Sequence, residues 1–372
     1  MSHIQRRGKD RWRARYLDPE GRERSKTFTR RIDAERFLAT VDADLVRGEW
    51  IDPRLGQKTF GQWVEEFESS RVDLEATTRA QHAACLRNHL LPCFGNKRLA
   101  AITEMQVRGF VTELVNQNLA ASTVTKSLRI LSQILKAAVR NRLIPSNPCE
   151  GVEGPGEAPV EETIFLGPEE VNAVADAVAE RFGPMVLLAG YRGLRFGELA
   201  GLRPHRIQFL RARLEVVEAL KETGDGHYFG PPKYGRVRSV PLPPFLVEEL
   251  AGHLARFPPT SDLVFTSPEG ALLRRSNFNR RVWARAIAAA GVDARLTFHG
   301  LRHSAVSILV AQGATLVELA SIMGWSRSTA AAMTMRYGHL FAAQEKRLTE
   351  AVEQAYRNAR RPVDGLGASG DQ

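Results

Sequence analysis

The chain has 372 residues, 43% hydrophobic and 25% charged, enough for more than one packed core. A net charge of +10 and a pI near 9.8 favour a polyanionic partner, of which nucleic acid is the commonest. No run reaches the length of a membrane span and residues 1–7 lack the apolar core of a signal peptide. The three cysteines, Cys85, Cys93 and Cys149, make no disulfide framework, so the expected location is the cytoplasm.

The excess charge is concentrated in residues 1–31, where eleven Lys/Arg stand against four acids, a net +7. Arg11-Trp12-Arg13-Ala14-Arg15-Tyr16 and Arg22-Glu23-Arg24-Ser25-Lys26-Thr27-Phe28 both alternate, with a turn signal, Asp18-Pro19-Glu20-Gly21, between them. The expectation is a β-hairpin whose apolar face is covered by a helix from Ile32 to about Arg47. Arg11, Arg13, Arg15, Arg22, Arg24 and Lys26 are its candidate DNA contacts, since a two-stranded ribbon fits a major groove.

Residues 58–148 predict an all-α unit with helices over 59–70, 76–90, 103–118 and 122–141, Thr103 and Gln106 forming a capping box. Val124, Leu128, Leu131, Leu135 and Val139 make one apolar stripe. His82, Cys85, His89 and Cys93 have a metal-like spacing, but three lie on one helix face and cannot close a tetrahedron, so they are read as ordinary side chains and no metal or other cofactor is expected. Four prolines and three glycines between Pro145 and Pro159 mark a linker, taken as 149–162.

Residues 163–360 predict a mixed α+β unit with a small sheet. A helix starts at Gly167-Pro168-Glu169-Glu170 and another runs from Met185 to Tyr191. Arg195 falls at a helix start in Gly193-Leu194-Arg195-Phe196-Gly197-Glu198, where an anion is favoured, and Glu198 is placed to hold it. Strand Leu214–Glu218 pairs with a strand ending at Leu242, and Lys233 is expected at the tip of a mobile hairpin, suited to a general acid. His299 and Arg302 share a helix face, one imidazole and one guanidinium for a single phosphate. Tyr337 follows in a short polar stretch. A helix over 341–360 and a Gly-rich tail, 361–372, end the chain.

In this order Gly193–Leu199, Pro232-Lys233 with Arg238, His299-Gly300-Leu301-Arg302-His303, Met323-Gly324-Trp325 and Arg336-Tyr337-Gly338-His339 resemble the tyrosine recombinases of the phage-integrase type. The resemblance implies an arm-binding domain (1–55), a core-binding, SAM-like helical domain (58–148) and a catalytic domain (163–360). It implies that Arg195 and Arg302 clamp the scissile phosphate and Lys233 protonates the leaving 5′-oxygen. His299 assists proton transfer, Trp325 donates a hydrogen bond, Tyr337 is the nucleophile, and Arg238 joins the DNA contacts. The implied activity is site-specific integration or excision of a phage or mobile element through a 3′-phosphotyrosyl link and a Holliday junction, without metal or ATP. The implied partners are double-stranded attachment sites, three further copies held by the tail helix, and DNA-bending or directionality factors; bound to DNA, the protein joins the nucleoid. Tyr337 lies twelve positions beyond Trp325, about one helical turn more than is usual in that family. Two alternatives remain: a DNA-binding regulator with an inactive fold, favoured by that lengthened segment, and a type IB topoisomerase.

Overall fold

The computed structural model describes residues 2–359 except 9, 49, 51, 53, 73, 157–163, 224, 225 and 260. It divides into two units near residue 160.

In the first unit, β1 (His3–Arg6), β2 (Trp12–Leu17) and β3 (Glu23–Phe28) form an antiparallel sheet in that order. The expected hairpin thus gains a third strand on its edge. Alternation puts Ala14 and Tyr16 on the covered face, where α1 (Arg31–Arg47) seals them with Ala34, Leu38 and Val41. The register divides the candidate DNA contacts between the two faces of the sheet. Arg24 pairs with Tyr16 and Lys26 with Ala14, so both stand on the helix side of the sheet. Arg24 is held by Asp18 at 2.8 Å and Asp52 at 3.0 Å, and the Lys26 ammonium lies over the Phe37 ring. Arg22 is tied to Asp18 and Glu20. Arg13 and Arg15 share the opposite face, bonded to Ser25 and Glu23, and Arg11 is exposed.

The rest of this unit is helical: α2 (Phe60–Ser69), α3 (Ala76–Cys85), α4 (Leu91–Phe94), α5 (Glu104–Asn116) and α6 (Ala121–Arg140). Capping boxes at Thr59/Gln62 and Thr103/Gln106 start α2 and α5. A single π turn over Leu86–Leu90 joins α3 to α4, so the helical run passes its expected end at residue 90. The α6 stripe Val124, Leu128, Leu131 and Leu135 is buried, and the Trp63 indole N–H donates to the Ile134 carbonyl at 3.0 Å. Cys85 contacts Ser127, and His82 contacts Arg71; among the described residues no group of three His, Cys, Asp or Glu is placed to hold a metal. Leu143, Ile144 and Cys149 are buried in this core with Val152 against it, so the start of the expected linker packs as part of the helical domain. Residues 157–163 of that linker lie outside the described residues.

The second unit runs α7 (Pro168–Ala177), α8 (Gly183–Arg192), α9 (Phe196–Ala200), β4 (Ile207–Gln208), β5 (Arg213–Val216), β6 (Ala219–Thr223), β7 (Gly226–Gly230), β8 (Arg238–Pro241) and α10 (Pro244–Arg256). It continues through α11 (Arg275–Phe278), α12 (Ala284–Ala290), α13 (Gly300–Ala311), α14 (Leu316–Met323) and α15 (Arg327–Ala359). β5 pairs with β8 as expected, Leu214 opposite Val240, and β4 adds an edge. The β6–β7 hairpin between them was not foreseen; it carries no clean alternation. Two apolar clusters fill the unit, one centred on α7, α8 and the sheet, the other on α13, α14 and α15. Among the described residues no helix is long and apolar enough to cross a membrane.

Candidate active site

α8 stops at Gly193, whose φ of +66° suits glycine and where a Cβ would run into the Met323 thioether. Two residues on, Arg195 caps α9. Its backbone N–H donates to Glu198 Oε2 at 2.9 Å and its Nη1 to Oε1 at 2.9 Å. Glu198 is 3% exposed. From β8, Arg238 donates through Nη1 at 3.0 Å and Nη2 at 2.7 Å to the same carboxylate. Burial opposes ionisation of Glu198, yet Arg238 and then Arg195 hold its pKa at about 2. Because α9 has five residues, its dipole is small, and anion affinity at Arg195 rests on the guanidinium rather than on the helix end expected from sequence.

α13 begins just after His299. Arg302 is 5% exposed, and its guanidinium is aimed by two carbonyls: Nη1 donates to Gly193 O and Nη2 to Met323 O at 2.6 Å. The latter belongs to the last turn of α14, where unpaired carbonyls favour cations. Arg238 Nε donates to Ile322 O at 2.8 Å, so two guanidinium groups cap this one helix end, and Arg236 Nη1 donates to Trp325 O, two residues beyond it, at 3.0 Å. Carbonyls orient Arg302 without cancelling its charge. Burial and the neighbouring Arg195 push its pKa down to about 9, still cationic at neutral pH. Arg195, Arg238 and Arg302 against Glu198 leave a net +2 in a largely buried cluster. Burial, then His303, Arg302, Arg195 and Arg275, push His299 down to about 4, so its imidazole is neutral at pH 7.

Tyr337 is not in a polar loop. α15 is one helix through the expected tail, and Tyr337 lies ten residues into it, 2% exposed. A helical side chain tilts toward its own N-terminus, and the Tyr337 ring lies on Trp325 at 6.4 Å between centroids and 15° between planes. Helix formation thus absorbs the longer Trp325–Tyr337 interval. The Phe165 ring also packs on Tyr337, tilted, at 6.0 Å. The phenol oxygen is hydrogen-bonded to His303 Nδ1.

The structure therefore gathers Arg195, Glu198, His299, Arg302, Trp325 and Tyr337. Lys233 is exposed, in the short turn Lys233–Gly235 between β7 and β8 rather than at a hairpin tip, because β6 and β7 pair with each other ahead of it. Arg238, expected among the DNA contacts, has a side chain 6% exposed that is bonded to Glu198 and Ile322. Sequence reasoning passed over His303 and Arg236. His303 was legible as the residue one turn beyond His299 on the same face; nothing in the sequence signalled the reach of Arg236 to Trp325.

Comparison with known proteins agrees along the chain. The phage integrase family matches residues 165–344, the N-terminal domain of phage integrase residues 3–47, and the N-terminal SAM-like domain of phage integrase residues 59–115. The prophage phiRv2 integrase of Mycobacterium tuberculosis H37Rv is 30% identical over 364 residues, covering 94% of each chain. The integrase of Mycobacterium phage D29 is 26% identical over 92% of this chain and 93% of its own. Among solved structures, the Tn1549 transposon integrase in complex with transposon right end DNA superposes with a TM-score of 0.68 at 17% identity, covering 78% of this chain and 100% of that one. A lambda integrase tetramer bound to a Holliday junction gives 0.59 at 17% identity, covering 86% and 91%.

Proposed function

Because the chain belongs to the phage integrase family of tyrosine recombinases, we propose that the cluster around Arg302 cleaves and rejoins DNA with Tyr337 as its nucleophile. The protein is a site-specific DNA recombinase that integrates phage or mobile-element DNA.

Phosphodiester cleavage has a very high barrier, and the charge that develops on the phosphoryl oxygens must be met by prearranged cations. Arg195 and Arg302 supply them, one oriented by Glu198 and the other by two carbonyls. His299, neutral in the absence of DNA, adds a hydrogen bond to the same phosphate and gains affinity for a proton as the phosphate arrives. Lys233, on its turn beside β8, protonates the departing 5′-oxygen. Trp325 holds the ring of Tyr337. Attack leaves a 3′-phosphotyrosyl link that stores the bond energy, so a second strand's 5′-hydroxyl reseals it without ATP. Two such rounds through a Holliday junction exchange two sites. The arm domain, with Arg11, Arg13 and Arg15 on its open side, binds DNA beside the helical core-binding domain. Val352 and Tyr356, four apart and exposed on α15, suit docking on a neighbouring copy in a tetramer. DNA-bending and directionality factors complete the assembly, which works in the cytoplasm at the nucleoid.

The observation that carries this reading is the packing of Tyr337 against the start of α13, where its phenol meets His303, the residue next to Arg302. The test is a nicked suicide duplex bearing the element's attachment core, with an SDS-stable adduct mapped to Tyr337 as the expected result. Burial of that phenol favours a second reading, a DNA-binding regulator that does not cleave. Absence of an adduct on DNA the protein binds would establish that alternative.

A further inference from the structure

We propose that His303 is a catalytic residue that takes the proton of Tyr337 as the phenol attacks, a role the sequence had suggested for His299. The inference rests on Tyr337 being the nucleophile.

A base must lie within hydrogen-bond reach of the proton it removes. His303 Nδ1 meets that condition, being bonded to the phenol oxygen. His299 lies edge-on against His303 at 5.3 Å between centroids, and burial, then the charges of His303, Arg302, Arg195 and Arg275, disfavour its protonation. The two imidazoles stand one helical turn apart, with Arg302 between them in sequence and on the same face. That spacing divides the work, with His299 and Arg302 at the phosphate and His303 behind the nucleophile. A phenol whose hydrogen points at Nδ1 keeps its remaining lone pairs directed away from His303 and free to attack phosphorus. In the step, the Tyr337 O–H proton passes to Nδ1, the oxygen forms its bond to phosphorus, the bond from phosphorus to the 5′-oxygen breaks, and that oxygen takes a proton from Lys233. On rejoining, the imidazolium returns the proton to the leaving phenolate. Among the described residues, the titratable groups facing His303 include His299 just before α13, Arg302 on α13 and Tyr337 on α15, while α8, packed along α13, ends in Arg192.

The test separates proton transfer from packing by changing the phenol. On the suicide duplex, His303→Gln and His303→Asn should slow adduct formation about 10²-fold or more with unchanged DNA affinity. Installing 3,5-difluorotyrosine at position 337, whose phenol ionises near neutral pH, should restore most of the rate in the His303 variants and change the otherwise wild-type protein little. Cleavage by both His303 variants at the wild-type rate would overturn the proposal, as would a defect the fluorinated phenol does not relieve, which would mean a structural role. Wild-type protein that forms no adduct at Tyr337 would overturn the nucleophile assignment, and this one with it.

Discussion

Glu198 and Arg238, forty residues apart in sequence, meet through two hydrogen bonds of 3.0 and 2.7 Å in a place almost closed to water. Glu198 also orients Arg195, so one carboxylate ties the strand after Lys233 to the start of α9. Breaking a buried pair leaves the surviving charges uncompensated, at about 3–5 kcal/mol. Glu198→Gln should lower stability by roughly that amount in denaturant unfolding, and should slow adduct formation in whatever fraction remains folded. A loss under about 1 kcal/mol would show that the site does not depend on this carboxylate.

Loss of the Tyr337 hydroxyl should separate binding from chemistry. Tyr337→Phe keeps the ring on Trp325 and removes one buried hydrogen bond, about 1 kcal/mol. It should bind core-site DNA as the wild type does and give no covalent adduct. A persisting adduct would assign the nucleophile to another residue.

The depressed pKa of His299 predicts a pH dependence of stability. Its folded value of about 4 lies below the ordinary 6.5, so the unfolded chain binds the proton more tightly. Stability should therefore be full above pH 6.5 and fall as pH drops toward 4, by up to about 3 kcal/mol from this group. His299→Gln should flatten that slope between pH 4 and 6.5. An unchanged slope would mean that other groups carry it.

Gly193 serves backbone and packing together. Gly193→Ala places a methyl group against Met323 at a positive φ, moving the two carbonyls that aim Arg302. The expected outcome is a loss of about 1–3 kcal/mol by thermal unfolding and a cleavage defect larger than the loss of folded protein explains.

The arm domain should act through charge. Arg13→Ala and Arg15→Ala should each reduce the salt dependence of arm-site binding by about one counterion, with core-site binding unchanged. Removing residues 1–55 should abolish integration and spare core-site binding. Equal salt slopes in mutant and wild type would remove these two residues from the interface.

Much of this protein could be read along the chain because its signals are local. Capping boxes, the stripe on α6, the alternation of β2 and the ordered motifs from Arg195 to Tyr337 each depend on residues a few positions apart. Their periodicities follow from backbone geometry alone. What only the tertiary structure decided is which donors meet which acceptors across long intervals. Arg238 is spent on Glu198, Arg24 turns toward Asp18 and Asp52, and Arg302 is aimed by carbonyls from α8 and α14. Tyr337 lies inside α15 against His303 rather than in a loop near His299. A guanidinium or an imidazole reads the same in sequence whether it faces solvent, a carboxylate or a phenol. Burial and the orientation of packed helices choose among those partners, and neither is encoded in any short stretch of residues.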